Sequence, residues 1–342
     1  MPRRLMVAAA VLGAVVLWSY LAHPGPDGTL ETLRLASLAI QVTVLVLSIL
    51  SVKRAPWALA SIVVAELLFF HLPANPPVTA RLFYPETPPI RYVRQRLGPW
   101  MRVAGLGPAL RANFASAYGL ADPRSSNPAK PAAYVEAVSR INLTPGRATD
   151  GFGEPRDPLY QFLGVRYLMT SPDSPLPGPW KLALRHPSAW VWERPRALPR
   201  IFLPHSILPC AQNASWSDCT RSIRNFRREA VIREGQAWSA ASPRASELDL
   251  GSLHPAWLSA QARLVERRLL ASSVYQDGGW IVLKNGNRQP ATLANGPFVA
   301  AWLPEGDARI DLVYRPRGFF GGMLLAALAL TAAAVLWMPM RR

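Results

Sequence analysis

The feature that most constrains this chain is where its apolar residues fall. Four apolar runs occupy 5–22, 36–52, 57–72 and the C-terminal stretch 318–342, and a polar, proline-rich segment, 73–317, separates the third from the fourth. A run of about 20 apolar residues can cross the hydrocarbon core of a bilayer. It must do so as helix, because lipid offers no partner to backbone N–H and C=O groups. The expected architecture is a membrane α-helical anchor of about four spans, three within 1–72 and one at 318–342, holding a globular segment at both ends.

Charge placement gives that anchor an orientation. Arg3, Arg4, Lys53, Arg54, Arg341 and Arg342 all fall on one side of a four-span arrangement, and cations stay with the cytosol. Both termini are then cytoplasmic, and 73–317 is extracytoplasmic. The first run follows Arg3 and Arg4 as a signal peptide would, but Tyr20-Leu21-Ala22-His23-Pro24 is a poor small-residue cleavage site, so an uncleaved span is expected. The net charge of +17 points to anionic partners such as lipid headgroups or acidic polymers, and the topology excludes nucleic acid.

Within 73–317 the texture changes once. Residues 73–228 alternate short apolar runs, such as 165–170, with helical stretches, which reads as an α/β subdomain. From 229 to 317 the runs 256–265, 268–274, 280–284, 289–294, 298–303 and 309–314 are broken by Asn285-Gly286, Asn295-Gly296 and Pro304-Glu305-Gly306. Asn-Gly favours tight hairpins because both residues tolerate positive φ. The expectation is a membrane-proximal antiparallel β-sandwich.

Chemistry-bearing motifs are sparse. Gly105-Leu106-Gly107 lacks the third glycine of a dinucleotide loop, and no GxSxG, HExxH, P-loop or EF-hand pattern occurs. The five histidines are scattered, so no metal site is expected. Cys210 and Cys219 lie in one short polar loop, and in an oxidising compartment a disulfide is the natural pairing. Glu66 is an acid inside an apolar run, which makes it a functional candidate, with Arg81 as its alternative ion-pair partner. Trp190 and Trp192 alternate on a strand, as sugar-stacking or core aromatics do.

Several stretches carry a family likeness. The segment from SSVYQDGGWIVLKNGN to DLVYRPRGF, with Gly279, Trp280, Asn295, Phe298, Pro304, Gly306, Tyr314 and Pro316, resembles the end of bacterial YfhO-type membrane proteins. RVAGLGPALRANFASAYGLADPRSSNP, QFLGVRYLMTSP and WERPRALPRIFL are similar to that family in order and content, so the likeness covers the C-terminal part only. It implies a GT-C glycosyltransferase-like protein of the bacterial inner membrane that lacks the N-terminal catalytic half. Such a chain would be an accessory or split component of envelope glycan assembly at the outer leaflet. The alternatives are an active polyprenyl-phosphate-sugar-dependent glycosyltransferase and a non-enzymatic envelope glycan-binding module. If the chain is an active enzyme, its candidates are Glu66, Asp27 or Glu31 as the acid, Arg81, Arg91 or Arg94 on lipid phosphate, and Trp190, Trp192 or Trp280 stacking on sugar. No cofactor is implied beyond a divalent cation if the chain is active. The implied partners are membrane lipid, a polyprenyl-phosphate-sugar and a second multi-span subunit.

Overall fold

The computed structural model describes residues 84–337 apart from 128–129, 144–150, 234, 243–244 and 317, together with Ser61 and Val64. The chain divides into two compact units, Met1–Pro85 and Glu86–Arg342, and every element below belongs to the second.

The helix Pro88–Arg96 begins on prolines, whose missing N–H is no loss in a first turn, and buries Ile90 and Val93. Four strands follow: β1 (Arg102–Gly105), β2 (Val165–Thr170), β3 (Lys181–Leu184) and β4 (Trp190–Glu193). They form a sheet in the order β1-β2-β4-β3. β1 and β2 are parallel, which requires a long crossover. The short helices Ala132–Ala137 and Leu159–Phe162 lie in it. β2 is buried on both faces: Leu168 packs beneath Phe162 and Trp192, whereas Tyr167 and Met169 face Ile90 and Val93. This is the period-2 alternation of a strand covered on both sides.

The remaining strands make two larger sheets. β5 (Ile201–Phe202), β6 (Ser206–Pro209), β7 (Glu229–Ile232), β8 (Trp238–Ser239), β11 (Arg268–Tyr275), β14 (Ala291–Ala294) and β15 (Phe298–Leu303) form one, in the order β5-β11-β15-β14-β7-β6-β8. β9 (Glu247–His254), β10 (Trp257–Leu264), β12 (Trp280–Lys284), β13 (Asn287–Gln289) and β16 (Gly306–Tyr314) form the other, in the order β13-β12-β16-β10-β9. Leu258, Ile310 and Leu312 of the second share an apolar cluster with Leu270, Val299 and Leu303 of the first. Asn285 and Gly286 close the β12–β13 hairpin at φ 51° and 80°. Cys210 and Cys219 are joined as a disulfide that ties the end of β6 to the helix Trp216–Thr220.

Two expectations are corrected here. The first is the antiparallel β-sandwich. The sheets are open, ending on the edge strands β13, β9, β5 and β8, and β6 pairs with β7 in parallel. The seven-stranded sheet also draws β5 and β6 from the region read as α/β, so the fold is mixed throughout rather than an α/β part followed by a closed sandwich. The second is the four-span anchor. The runs at 5–22, 36–52 and 57–72 lie outside the described residues apart from Ser61 and Val64. The last run forms a helix, Phe319–Trp337. No helix among the described residues is long and apolar enough to cross a membrane. The multi-pass inner-membrane localisation, with an extracytoplasmic domain and cytoplasmic termini, therefore has no span there to rest on.

Candidate functional site

The segment joining β4 to β5 and the loops around β11 and β12 line an open cavity of about 440 Å³. Two arginines meet there. Arg102, the first residue of β1, sends Nη1 to the Leu163 carbonyl and to Ser273 Oγ, both at 2.7 Å, and Nη2 to the Ser273 carbonyl at 3.0 Å. Ser273 is in reach because β11 shifts register against β15 between Ala271 and Tyr275, and an irregularity of this kind re-aims side chains. Arg200 stands just before β5, and its carbonyl accepts from the Ser273 N–H. Its Nε is buried with no hydrogen-bond partner among the described residues. Burial pulls the Arg102 guanidinium down to about 9, and Arg200 beside it adds to the shift. Burial lowers Arg200 as well.

The acids in the cavity are already engaged. Asp122 accepts from Arg124 Nε at 3.0 Å and Nη2 at 2.6 Å. Burial nevertheless outweighs that pairing and raises its carboxyl above the ordinary range. Asp277 accepts from the Tyr314 hydroxyl and from the Gly279 N–H, and the first of these bonds raises the Tyr314 hydroxyl. With Arg124 counted, the cluster holds three guanidinium groups against two carboxylates. Aromatic rings complete the walls: Tyr134 meets Tyr275 edge to face at 6.1 Å, and Trp280 leans on Tyr314 at 5.2 Å. His254, at the β9–β10 turn, stacks on Trp257.

Gly279 sets the position of the Tyr314 wall. A Cβ there would sit 2.5 Å from Tyr314 Cε2 and 3.1 Å from Asp277 Oδ1, so any side chain must push the ring off its aspartate. Gly279→Ala is expected to cost about 1–3 kcal/mol by overpacking, read as a lower denaturant midpoint. An unchanged midpoint would mean that the ring can swing away freely.

The candidates from the sequence are spread out. Trp280 lines the cavity. Trp192 is buried and donates to Thr170 Oγ1, and Trp190 packs beside it at 6.0 Å, so both belong to the four-stranded sheet. Arg91 and Arg94 are exposed on the helix Pro88–Arg96, with Arg94 paired to Glu86. Glu66, Asp27, Glu31 and Arg81 lie outside the described residues. Among the described residues no group of His, Cys, Asp or Glu is placed to hold a metal ion. Sequence reasoning missed Arg102, Arg200 and Asp277. The one available signal was an arginine set among apolar or proline residues, as in Met101-Arg102-Val103 and Pro199-Arg200-Ile201, where burial of the charge demands a partner.

Comparison with known proteins leaves the site to stand on its own geometry. The YfhO-type likeness and the functions drawn from it are corrected on two grounds. The membrane core that they require is absent from the described helices, and membrane lipid, a polyprenyl-phosphate-sugar and a multi-span subunit lose their basis as partners with it. The second ground is that no family model, no curated protein and no solved structure matches this chain.

Proposed function

We propose that the chain binds a small organic monoanion in the Arg102–Arg200 cavity, its carboxylate or phosphate on the arginines and its ring against Trp280 and Tyr275. The observation that carries this reading is the Arg200 Nε, buried beside a second arginine without a hydrogen-bond partner among the described residues. A buried charge-bearing donor left unmatched costs on the order of 1–3 kcal/mol or more, and an anion supplied from solution removes that cost. A volume of about 440 Å³ falls in the range of small-molecule sites. The excess of one cation in the cluster favours a single negative charge over several.

The test is calorimetric titration with benzoate and methyl phenyl phosphate, a diester with a single negative charge, against benzyl alcohol. The anions bind and the neutral alcohol does not. Arg200→Gln weakens the anions by about 10–100-fold, as expected for a lost charge-assisted hydrogen bond. Affinity depends on pH through Arg102. Its guanidinium is charged below about 9 and discharges above it, so binding is flat from neutral pH to about 8 and falls as pH rises through 9. Equal binding of benzyl alcohol, or an Arg200→Gln variant that binds as well as the parent, would sink the reading.

A further inference from the structure

A second cleft, of about 590 Å³, opens on the other side of the segment that carries Arg200. Arg196, Arg227 and Arg228 line it, and among the described residues no carboxylate does. All three arginines are exposed, and among the described residues none of their side chains is held in a hydrogen bond or ion pair. The loops that carry them are fixed by one buried side chain. Gln161 donates from Nε2 to the Arg196 carbonyl and to Asn225 Oδ1, both at 3.2 Å, and accepts from the Phe226 N–H at 3.2 Å. Asn225 Oδ1 in turn accepts from the Arg227 N–H at 3.0 Å. The backbones beneath the three cations are therefore set before any ligand arrives, which lowers the ordering cost of binding. Leu203, Leu248 and Leu250, all half-buried, supply an aliphatic floor.

We propose that this cleft docks an acidic, leucine-rich peptide segment of a partner protein, its carboxylates on Arg196, Arg227 and Arg228 and its aliphatic side chains on the leucine floor. Planar guanidinium forks match carboxylates in pairs, and the absence of any lining acid leaves the rim complementary to a negative strand. Among the described residues Phe202 is buried in the core and His205 is a single half-buried imidazole, so the cleft lacks the row of exposed rings on which successive bases of a single strand stack. A bare polyphosphate would leave the aliphatic floor wet. A peptide carrying both acidic and aliphatic residues satisfies rim and floor together. The site is separate from the anion cavity and does not depend on it.

The experiment uses the full chain and a fluorescein-labelled Glu-Leu-Asp-Leu-Glu-Leu peptide, read by fluorescence polarisation. The variant Arg227→Glu with Arg228→Glu weakens binding by about tenfold or more, because two attractive contacts become repulsive. Leu250→Ser weakens it about threefold, and a serine-for-acid peptide does not bind. Thermal melts of both variants confirm that they are folded. Saturating benzoate leaves the peptide affinity unchanged, so failure at one site is seen apart from failure at the other. The proposal is overturned if the peptide fails to bind at low salt, or if the double reversal changes affinity by less than about twofold. It is equally overturned if tripolyphosphate or an oligothymidylate of matched charge competes as well as unlabelled peptide while Leu250→Ser has no effect, which would reduce the cleft to a charged surface.

Discussion

Replacing Arg124 with alanine is expected to destabilise the fold by about 3–5 kcal/mol, the cost of removing one partner from a buried ion pair. The Arg124 and Asp122 side chains are 1% and 5% exposed, so neither can turn to water when the other is lost. Arg124 also donates to the Gly105 carbonyl at 2.6 Å and to the Leu110 carbonyl at 2.8 Å. Alanine therefore strands two backbone acceptors together with a carboxylate. Those acceptors are tightly placed: a Cβ on Gly105 would lie 2.6 Å from the Leu110 oxygen, which shows how closely the strand and the following turn approach. The pH dependence has a definite sign. Burial already raises the Asp122 carboxyl while the Arg124 side chain lowers it, and the variant keeps only the residue-124 N–H and the smaller pull of Arg102 against burial, so the carboxyl rises further. A carboxyl raised in the folded state takes up a proton that the unfolded chain does not, so the folded state gains as pH falls through the folded pKa. The loss measured by urea unfolding is thus largest at neutral and alkaline pH and shrinks toward acid. A loss below about 1 kcal/mol that is independent of pH would show that Asp122 is solvated and that this wall of the anion cavity is softer than its geometry implies.

Local chemistry was legible in the sequence wherever it is set by neighbouring residues. The apolar runs 165–170, 280–284 and 298–303 are strands at those residues, because β-branched and aromatic side chains bounded by glycine or asparagine leave few alternatives. Legibility failed where backbone geometry overrode composition. Residues 112–118 have the apolar and aromatic content of a strand, yet Phe114–Tyr118 is a 3-10 turn between Asn113 and Gly119, both in the left-handed region. The helix preceding the basic stretch 221–228 is Trp216–Thr220, begun by Ser215 accepting from the Asp218 N–H, and it stops before those cations. The cavity was illegible for a different reason. Arg102 and Ser273 are 171 positions apart, and Arg200 reaches the same point through a two-residue edge strand. No spacing rule joins such residues; only the register shift in β11 does. The membrane reading failed because a hydropathy pattern states what an apolar run can do in lipid and does not establish that lipid is its solvent.

Phe298→Ala is expected to cost about 3–5 kcal/mol, as for a fully buried phenylalanine, and to reach the anion cavity as well as the core. Phe298 is 1% exposed on β15 and touches rings from two other parts of the fold: Phe162 at 4.9 Å and Tyr134 at 6.0 Å, both edge to face. Tyr134 is itself a cavity wall, fixed by its hydroxyl donating to the Pro123 carbonyl at 2.6 Å and by its edge contact with Tyr275. The backbone leaves little room to collapse around a smaller side chain. Gly296 adopts φ 136°, and a Cβ on it would lie 2.8 Å from the Phe298 ring and 3.1 Å from the Ala137 Cβ, so the glycine exists to let the ring in. Alanine at 298 therefore leaves a void beneath Tyr134, and the ring loses the support that aims it into the cavity. Phe298→Leu fills most of that space and should cost less than half as much. Urea unfolding gives the stability of both variants, and benzoate titration reads the consequence for the site. Benzoate binding weakens in the alanine variant and recovers in the leucine variant if the wall depends on this support. A large stability loss with unchanged benzoate affinity in both would show instead that Pro123 and Tyr275 hold Tyr134 in place without help from the core.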